Sequence, residues 1–200
     1  GYDLFHPHKV LIWHEYTRKG RTKQWDDDKD WYLRNTACHV KNRQLLGVDG
    51  EKFDGDQFAS DAILKGAIAA IVRNKQEAIK NKILVKNGRE ALGKIAQYWK
   101  AQSKIPLVAI TGSNGKTTTK EMVASVVSIH LKSKKKLLMS QGNYNNDIGL
   151  PLSLLNIEKT QKCAVVEMGM NHPGEIARLA EIAEPTVGLV NNAQREHQEF

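Results

Sequence analysis

Between Ile110 and Met122 the chain reads ITGSNGKTTTKEM. Gly112 and Gly115 let the backbone bend so that successive N–H groups point into one concavity, and a following helix adds the positive end of its dipole. Lys116 has the reach for the β- and γ-phosphates of a nucleotide, and the Thr117 hydroxyl is placed to ligate a magnesium ion. The general P-loop template is G-x-x-x-x-G-K-[ST]. Here Ile110 occupies the first glycine position and the leading glycine comes two residues later. A bare glycine turn would say little, but G-x-x-G-K-T directly between a buried strand and a helix predicts phosphate binding.

A nucleotide's magnesium usually takes a carboxylate as well. Glu167 ends the apolar run CAVVEM, where a purely structural carboxylate has little reason to be, and a metal or water-positioning role is expected of it. The alternative is a glutamate exposed where the chain leaves the sheet. The loop GNYNND at 142–147 carries three asparagines, which suit left-handed loop conformations as well as they suit a ligand, and both readings stay open. Asn171, His172 and Pro173 read as the start of a helix. His197, flanked by Glu196 and Glu199, follows the last strand in a polar stretch, and a lone exposed histidine is more often inert.

The elements that must bring these residues together follow from apolar periodicity. QFASDAILKGAIAAIV predicts a helix on Phe58, Ile63 and Leu64, closed by Gly66, then a buried strand at Ala67–Val72. KILV at 82–85 is a second short strand, and GREALGKIAQYWKAQ an amphipathic helix with Leu92, Ile95, Ala96 and Trp99 on one face. SKIP at 103–106 reads as a connection, because Pro106 disfavours helix for the residue before it. Strands LVAIT, KLLMS, CAVVEM and TVGLV then alternate with helices at 116–130, around LPLSLL and at 174–183. Continuous apolar strands between helices predict a parallel sheet covered on both faces, with every strand's carboxyl end on one ligand-binding edge. The expected fold is therefore α/β: a small N-terminal α/β domain, then a parallel-sheet P-loop ATPase domain. Residues 1–46 fit no template and are left unassigned; the expected domains are 47–104 and 105–200.

The chain has 200 residues, 40% apolar, with a net charge of +8. A basic balance suits an anionic ligand, but the densest cluster, Lys132–Lys136, lacks aromatic interleaving and reads as a solvated connection rather than a nucleic-acid patch. No apolar run approaches the roughly 20 residues needed to span a bilayer, and no secretory signal is read. Cys38 and Cys163 fit free thiols in a reducing compartment, so a cytoplasmic protein is expected. His6, His8 and His14 read as scattered surface histidines, not a metal site.

GSNGKTTTKEM, GNYNNDIGLPLSLL, VVEMGMNHPGEI and NNAQREH together resemble the ATP-binding central domain of the Mur ligases, and GEKFDGDQFASDAILKGAIAAIV resembles the latter part of that family's N-terminal, UDP-sugar-binding domain. The resemblance covers about residues 47–200. It implies an ATP-dependent ligase of peptidoglycan precursor synthesis, in which the terminal carboxylate of a UDP-N-acetylmuramoyl tripeptide becomes an acyl-phosphate and is attacked by the amine of D-alanyl-D-alanine. Gly112, Ser113, Asn114, Gly115, Lys116, Thr117 and Thr118 would hold the ATP phosphates. Thr117 and Glu167 would hold one Mg2+, His197 would help hold a second, and Asn145 and Asn146 would lie near the phosphoryl group and the acceptor carboxylate. A monomer with no nucleic-acid partner and no membrane insertion is implied. Two departures are expected to matter. Residues 1–46 lack the family's usual segment ahead of the uridine-binding region. The sequence to Phe200 also lacks the lysine often carbamylated in the family, the adenine contacts and the C-terminal domain, so the chain is expected not to complete ligation alone. The alternatives are another Mur-type ligase, a folylpolyglutamate synthase or a non-catalytic nucleotide-binding module.

Overall fold

The computed structural model describes residues 10–13, 43–47, 56, 59–64, 67–74 and 79–194. The chain forms two compact units, Gly1–Ala91 and Leu92–Phe200. In the first, strands β1 (Val10–Trp13), β2 (Arg43–Gly47), β3 (Ala67–Val72) and β4 (Lys82–Leu84) form one sheet in that order, every pair parallel, with helix α1 (Ala59–Leu64) ahead of β3. β1 and most of β2 fall in the stretch left unassigned from sequence, where VLIW and RQLLG are too short for a period to show.

The face of α1 differs from expectation. Ala59 and Ala62 pack on Ala67, Ala70, Val72 and Ile79, with Ile63 partly buried against them. Leu64 is 85% exposed, and Phe58 lies outside the described residues. Small side chains let helix and strand approach closely, so the alanines form the contact and the larger residue is left outside. The Asp56 carboxylate accepts from the backbone N–H of Arg73 and Asn74, at 2.9 and 3.0 Å, where β3 ends.

The second unit contains most of helix α2 (Gly88–Ser103), then β5 (Leu107–Thr111), α3 (Lys116–His130), β6 (Leu137–Met139), α4 (Gly149–Leu155), β7 (Cys163–Glu167), α5 (Glu175–Ala183) and β8 (Val187–Val190). The division between units falls inside α2, earlier than the connection expected at 103–106. The reason is the use of its apolar face. Leu92 and Ala96 are fully buried, and Gly93 faces Ile182 of α5 so closely that a Cβ there would lie 2.9 Å from its Cδ1. Trp99 Nε1 donates to the Ile157 carbonyl at 3.0 Å, and Lys100 Nζ to the Glu184 carbonyl at 2.7 Å.

The four strands of this unit are parallel in the order β6-β7-β5-β8. Alternation along each strand sorts the two faces. Ile110 and Val165 meet Ala124 of α3, with Val108, Val123, Leu137 and Leu189 packed around them. Leu107, Ala109, Ala164 and Val166 point the other way and are equally buried, with α4 against β7 and α5 against β5. Residues leaving Thr111, Met139, Glu167 and Val190 therefore converge on one edge, as the alternating pattern predicted. The Lys134–Lys136 segment is a short exposed 3-10 turn, in line with a solvated connection.

α4 is short and almost wholly buried: Leu150, Pro151, Leu154 and Leu155 all face inward. Its first residue allows the preceding loop to lie against it, since a Cβ on Gly149 would sit 2.5 Å from the Tyr144 Cα. Gly149→Ala is expected to destabilise the second unit by about 1–3 kcal/mol through this backbone clash, read as a lower urea midpoint; an unchanged midpoint would show that the loop yields freely. Burial raises the pKa of the Cys163 thiol above its ordinary value, a backbone hydrogen bond at Ala164 only partly opposing this. Cys163 is accordingly expected to resist iodoacetamide in the native protein and to react on unfolding, as followed by peptide mass analysis.

Candidate functional site

The turn after β5 is braced by the exit of β8. Gly112 has φ 142° and Gly115 has φ 74°, conformations that favour glycine, and a Cβ on Gly112 would lie 3.0 Å from the Asn192 backbone nitrogen. The approaching chain is the exit of β8. Ser113 N–H donates to the Asn192 carbonyl at 3.2 Å, and Asn114 N–H to Asn192 Oδ1 at 2.9 Å. Asn191 Nδ2 returns a bond to the Asn114 carbonyl at 2.6 Å, Thr119 Oγ1 donates to Asn191 Oδ1 at 3.2 Å, and Gln194 N–H to Ser113 Oγ at 2.9 Å. Asn191, Asn192 and Gln194 were missed as individual residues by sequence reasoning; the polar run NNAQ directly after a strand was their only signal.

The turn opens on a helix terminus. The first backbone bond of α3 runs from Thr119 N–H to the Gly115 carbonyl, so the N–H groups of Lys116, Thr117 and Thr118 have no acceptor within the helix. Lys116 Nζ folds over the turn and donates to the carbonyls of Gly112 and Ser113 at 2.7 and 2.8 Å. Those groups make an anion cradle with a cation at its rim.

Glu167 faces this cradle because of register. Ile110 of β5 pairs with Glu167 of β7, and Glu167 lies two residues beyond Val165, hence on the face covered by α3. On α3, Thr117, Lys120 and Ala124 follow one another at helical spacing and face that sheet surface. Thr117 Oγ1 donates to Glu167 Oε2 at 2.8 Å. Lys120 Nζ stands 3.8 Å from the same oxygen and donates to the Gly142 carbonyl at 3.2 Å. Asn145 Nδ2 donates to Glu167 Oε1 at 2.8 Å, and the backbone N–H of Glu167 donates to Ser140 Oγ at 3.1 Å. Glu167 is 2% exposed, so it is not a glutamate turned outward at a chain exit.

This arrangement suits a magnesium ion bound with a nucleotide. Mg2+ takes oxygen ligands at about 2.0–2.1 Å in octahedral geometry, usually with one or two carboxylates plus phosphates and water. Adjacent ligands of such an octahedron stand close to the 2.8 Å that separates Thr117 Oγ1 from Glu167 Oε2. Among the described residues no group of three or more His, Cys, Asp or Glu is gathered for a metal.

The remaining candidates divide. Asn145 sits on the carboxylate, whereas Asn146 Oδ1 accepts from the N–H groups of Ile148 and Gly149, at 3.2 and 2.8 Å, and so shapes the start of α4. Asn171 and His172 donate backbone N–H to Glu175 Oε2 at 2.6 and 3.2 Å, the helix start expected of them. Partial burial works to raise the Glu175 pKa, but these two donors and the nearby His172 outweigh it and hold it below its ordinary value. His197, with Glu196 and Glu199, lies outside the described residues. Lys120 and Ser140 were not singled out from sequence. The signal for Lys120 was its place on the sheet-facing stripe of α3, where a lysine is out of character.

Comparison with known proteins identifies relatives of the chain. The Mur ligase middle domain family matches residues 110–200. UDP-N-acetylmuramoyl-tripeptide–D-alanyl-D-alanine ligases from Haemophilus influenzae and Rickettsia prowazekii are 37% and 43% identical, aligned over 82% and 83% of this chain and 36% of each relative. The MurF ligase of Thermotoga maritima, solved in complex with ADP, superposes with a TM-score of 0.71 at 36% identity, over 82% of this chain and 38% of that one. MurF from Acinetobacter baumannii gives 0.69 at 35% identity, over 77% and 34%. The chain thus spans little more than a third of the length of the relatives it matches. The Glycosyltransferase (GlcNAc) family matches residues 1–102, including the stretch that sequence analysis left unassigned. The ligase alignments run into those same residues, because an alignment over 82% of the chain cannot be contained in the part beyond residue 102. The chain belongs to the Mur ligase family through the unit that carries the P-loop and Glu167, and to the Glycosyltransferase (GlcNAc) family through residues 1–102.

Proposed function

We propose that this chain carries the ATP-handling portion of a ligase that joins D-alanyl-D-alanine to a UDP-N-acetylmuramoyl tripeptide. A carboxylate is a poor electrophile until one of its oxygens becomes part of a leaving group. In the reaction the tripeptide carboxylate attacks the γ-phosphorus of ATP and ADP leaves. The dipeptide amine then attacks the acyl carbon, and the tetrahedral intermediate expels phosphate to leave an amide. Catalysis of this kind is mainly positioning and charge neutralisation.

The N–H groups of Lys116, Thr117 and Thr118 receive phosphate oxygens. Lys116 exchanges the carbonyls of Gly112 and Ser113 for the β- and γ-oxygens. Thr117 and Glu167 would hold Mg2+, which when bound neutralises phosphate charge. Asn145 keeps the Glu167 carboxylate oriented, and Asn146 fixes the loop beside it. His197 belongs to the proposal as a ligand of a second Mg2+, and the setting proposed is a cytoplasmic monomer. The observation that carries the reading is the Thr117–Glu167 pair at the mouth of a P-loop, 2.8 Å between oxygens. A second reading rests on the family match over residues 1–102: transfer of N-acetylglucosamine by the first unit. It is favoured if the chain releases UDP from UDP-N-acetylglucosamine without ATP.

Two measurements test the ligase reading. By calorimetry on this chain, Lys116→Ala should weaken Mg-ATP binding about tenfold or more, equivalent to at least ~1.4 kcal/mol. Glu167→Gln should leave metal-free ATP binding nearly unchanged and abolish the gain from Mg2+. Variants indistinguishable from the parent would remove the site. With the full-length gene product, amide formation should need D-alanyl-D-alanine; equal turnover with a diamino acid or glutamate would move the chain to another Mur-type ligase or a folylpolyglutamate synthase.

A further inference from the structure

Lys120 has no part in the scheme above, yet it is among the most deeply buried large side chains of the second unit, at 1% exposure. A buried ammonium is unfavourable unless its charge and donors are met. Its hydrogen bond goes to the Gly142 carbonyl at 3.2 Å, and its charge faces Glu167 Oε2 at 3.8 Å. That oxygen already accepts from Thr117 at 2.8 Å. Lys120 is thus a fixed counter-charge behind the carboxylate rather than a direct donor to it.

The charge balance has a consequence. Lys120 faces the carboxylate of Glu167, while Lys116 folds over the neighbouring 112–115 turn, where a polyphosphate would meet a divalent cation. Lys120 cannot swing away, because α3 and the 142–147 loop enclose it. A divalent cation arriving alone meets a carboxylate that is already neutralised and a like charge behind it. A cation arriving with a polyphosphate brings its own compensation.

We propose that Lys120 is a positioning residue that makes divalent-cation binding at Glu167 conditional on nucleotide. The proposal rests on the metal role of Glu167 proposed above. Its test is Mn2+ binding, followed by loss of the free-ion electron paramagnetic resonance signal, with and without ADP. The parent chain should bind Mn2+ weakly alone and at least about tenfold more tightly with ADP. Lys120→Met and Lys120→Gln should each tighten Mn2+ binding in the absence of nucleotide by about tenfold or more, and Lys120→Arg should restore the parent's dependence. A merely structural role would lower the melting temperature without raising affinity for the free ion.

Mn2+ binding by the parent that is equally tight with and without ADP overturns the proposal, and needs no variant to fold. So do folded Lys120 variants that bind Mn2+ like the parent while the nucleotide-dependent site persists. Absence of any Mn2+ site even with ADP, in parent and variants alike, overturns the metal role of Glu167 and this inference with it.

Discussion

The second unit is organised around one buried carboxylate. Glu167 ends a strand whose five residues are all buried, and it is held there by four neighbours from three directions. Thr117 and Lys120 come from α3, Asn145 from the loop before α4, and Ser140 from the end of β6. An ionised group so placed is tolerable only if its surroundings supply donors and opposite charge. Meeting that requirement fixes the pitch of α3 against the sheet, the path of the 142–147 loop and the register of β7 on β5. The same partners leave one edge of the carboxylate beside the P-loop mouth, so structural demand and chemical opportunity coincide.

Much of this was legible in the sequence, for a physical reason. Strands buried on both faces of a parallel sheet must be continuously apolar, so LVAIT and CAVVE stand out and a polar residue at their ends is conspicuous. That is why the sequence alone assigns Glu167 and the 112–117 turn to a common edge. Residues whose role depends on helical phase were harder. Lys120 reads as one more lysine in a basic chain until α3 is laid on the sheet. Asn145 and Asn146 are neighbours of one type, yet one faces the carboxylate and the other a helix start. Composition cannot separate them, because the difference is one of backbone direction in a turn.

The first unit was less legible. Its helix α1 uses alanines for contact and leaves Leu64 in solvent, the reverse of what hydrophobicity alone favours. Close approach, not side-chain size, decides that interface. β1 and β2 are single short segments whose pairing depends on partners distant in the chain. No local window contains that information. The Glycosyltransferase (GlcNAc) match and the alignments to the ligase relatives overlap in this same region.

The two lysines of α3 illustrate how position divides the labour of one residue type. Lys116 lies at the rim, bonded to carbonyls of its own turn at 2.7 and 2.8 Å. Such bonds to neutral acceptors are readily exchanged for charged phosphate oxygens, which accept more strongly. Lys120, one turn further in, is bonded to a carbonyl of a packed loop and faces a carboxylate held by other groups. Its flexible stem is enclosed, so its charge is a constant of the site rather than a responder. An exchangeable cation at the turn and a fixed one behind Glu167 are the charges on which the proposed preference for a nucleotide-borne metal over a bare one rests.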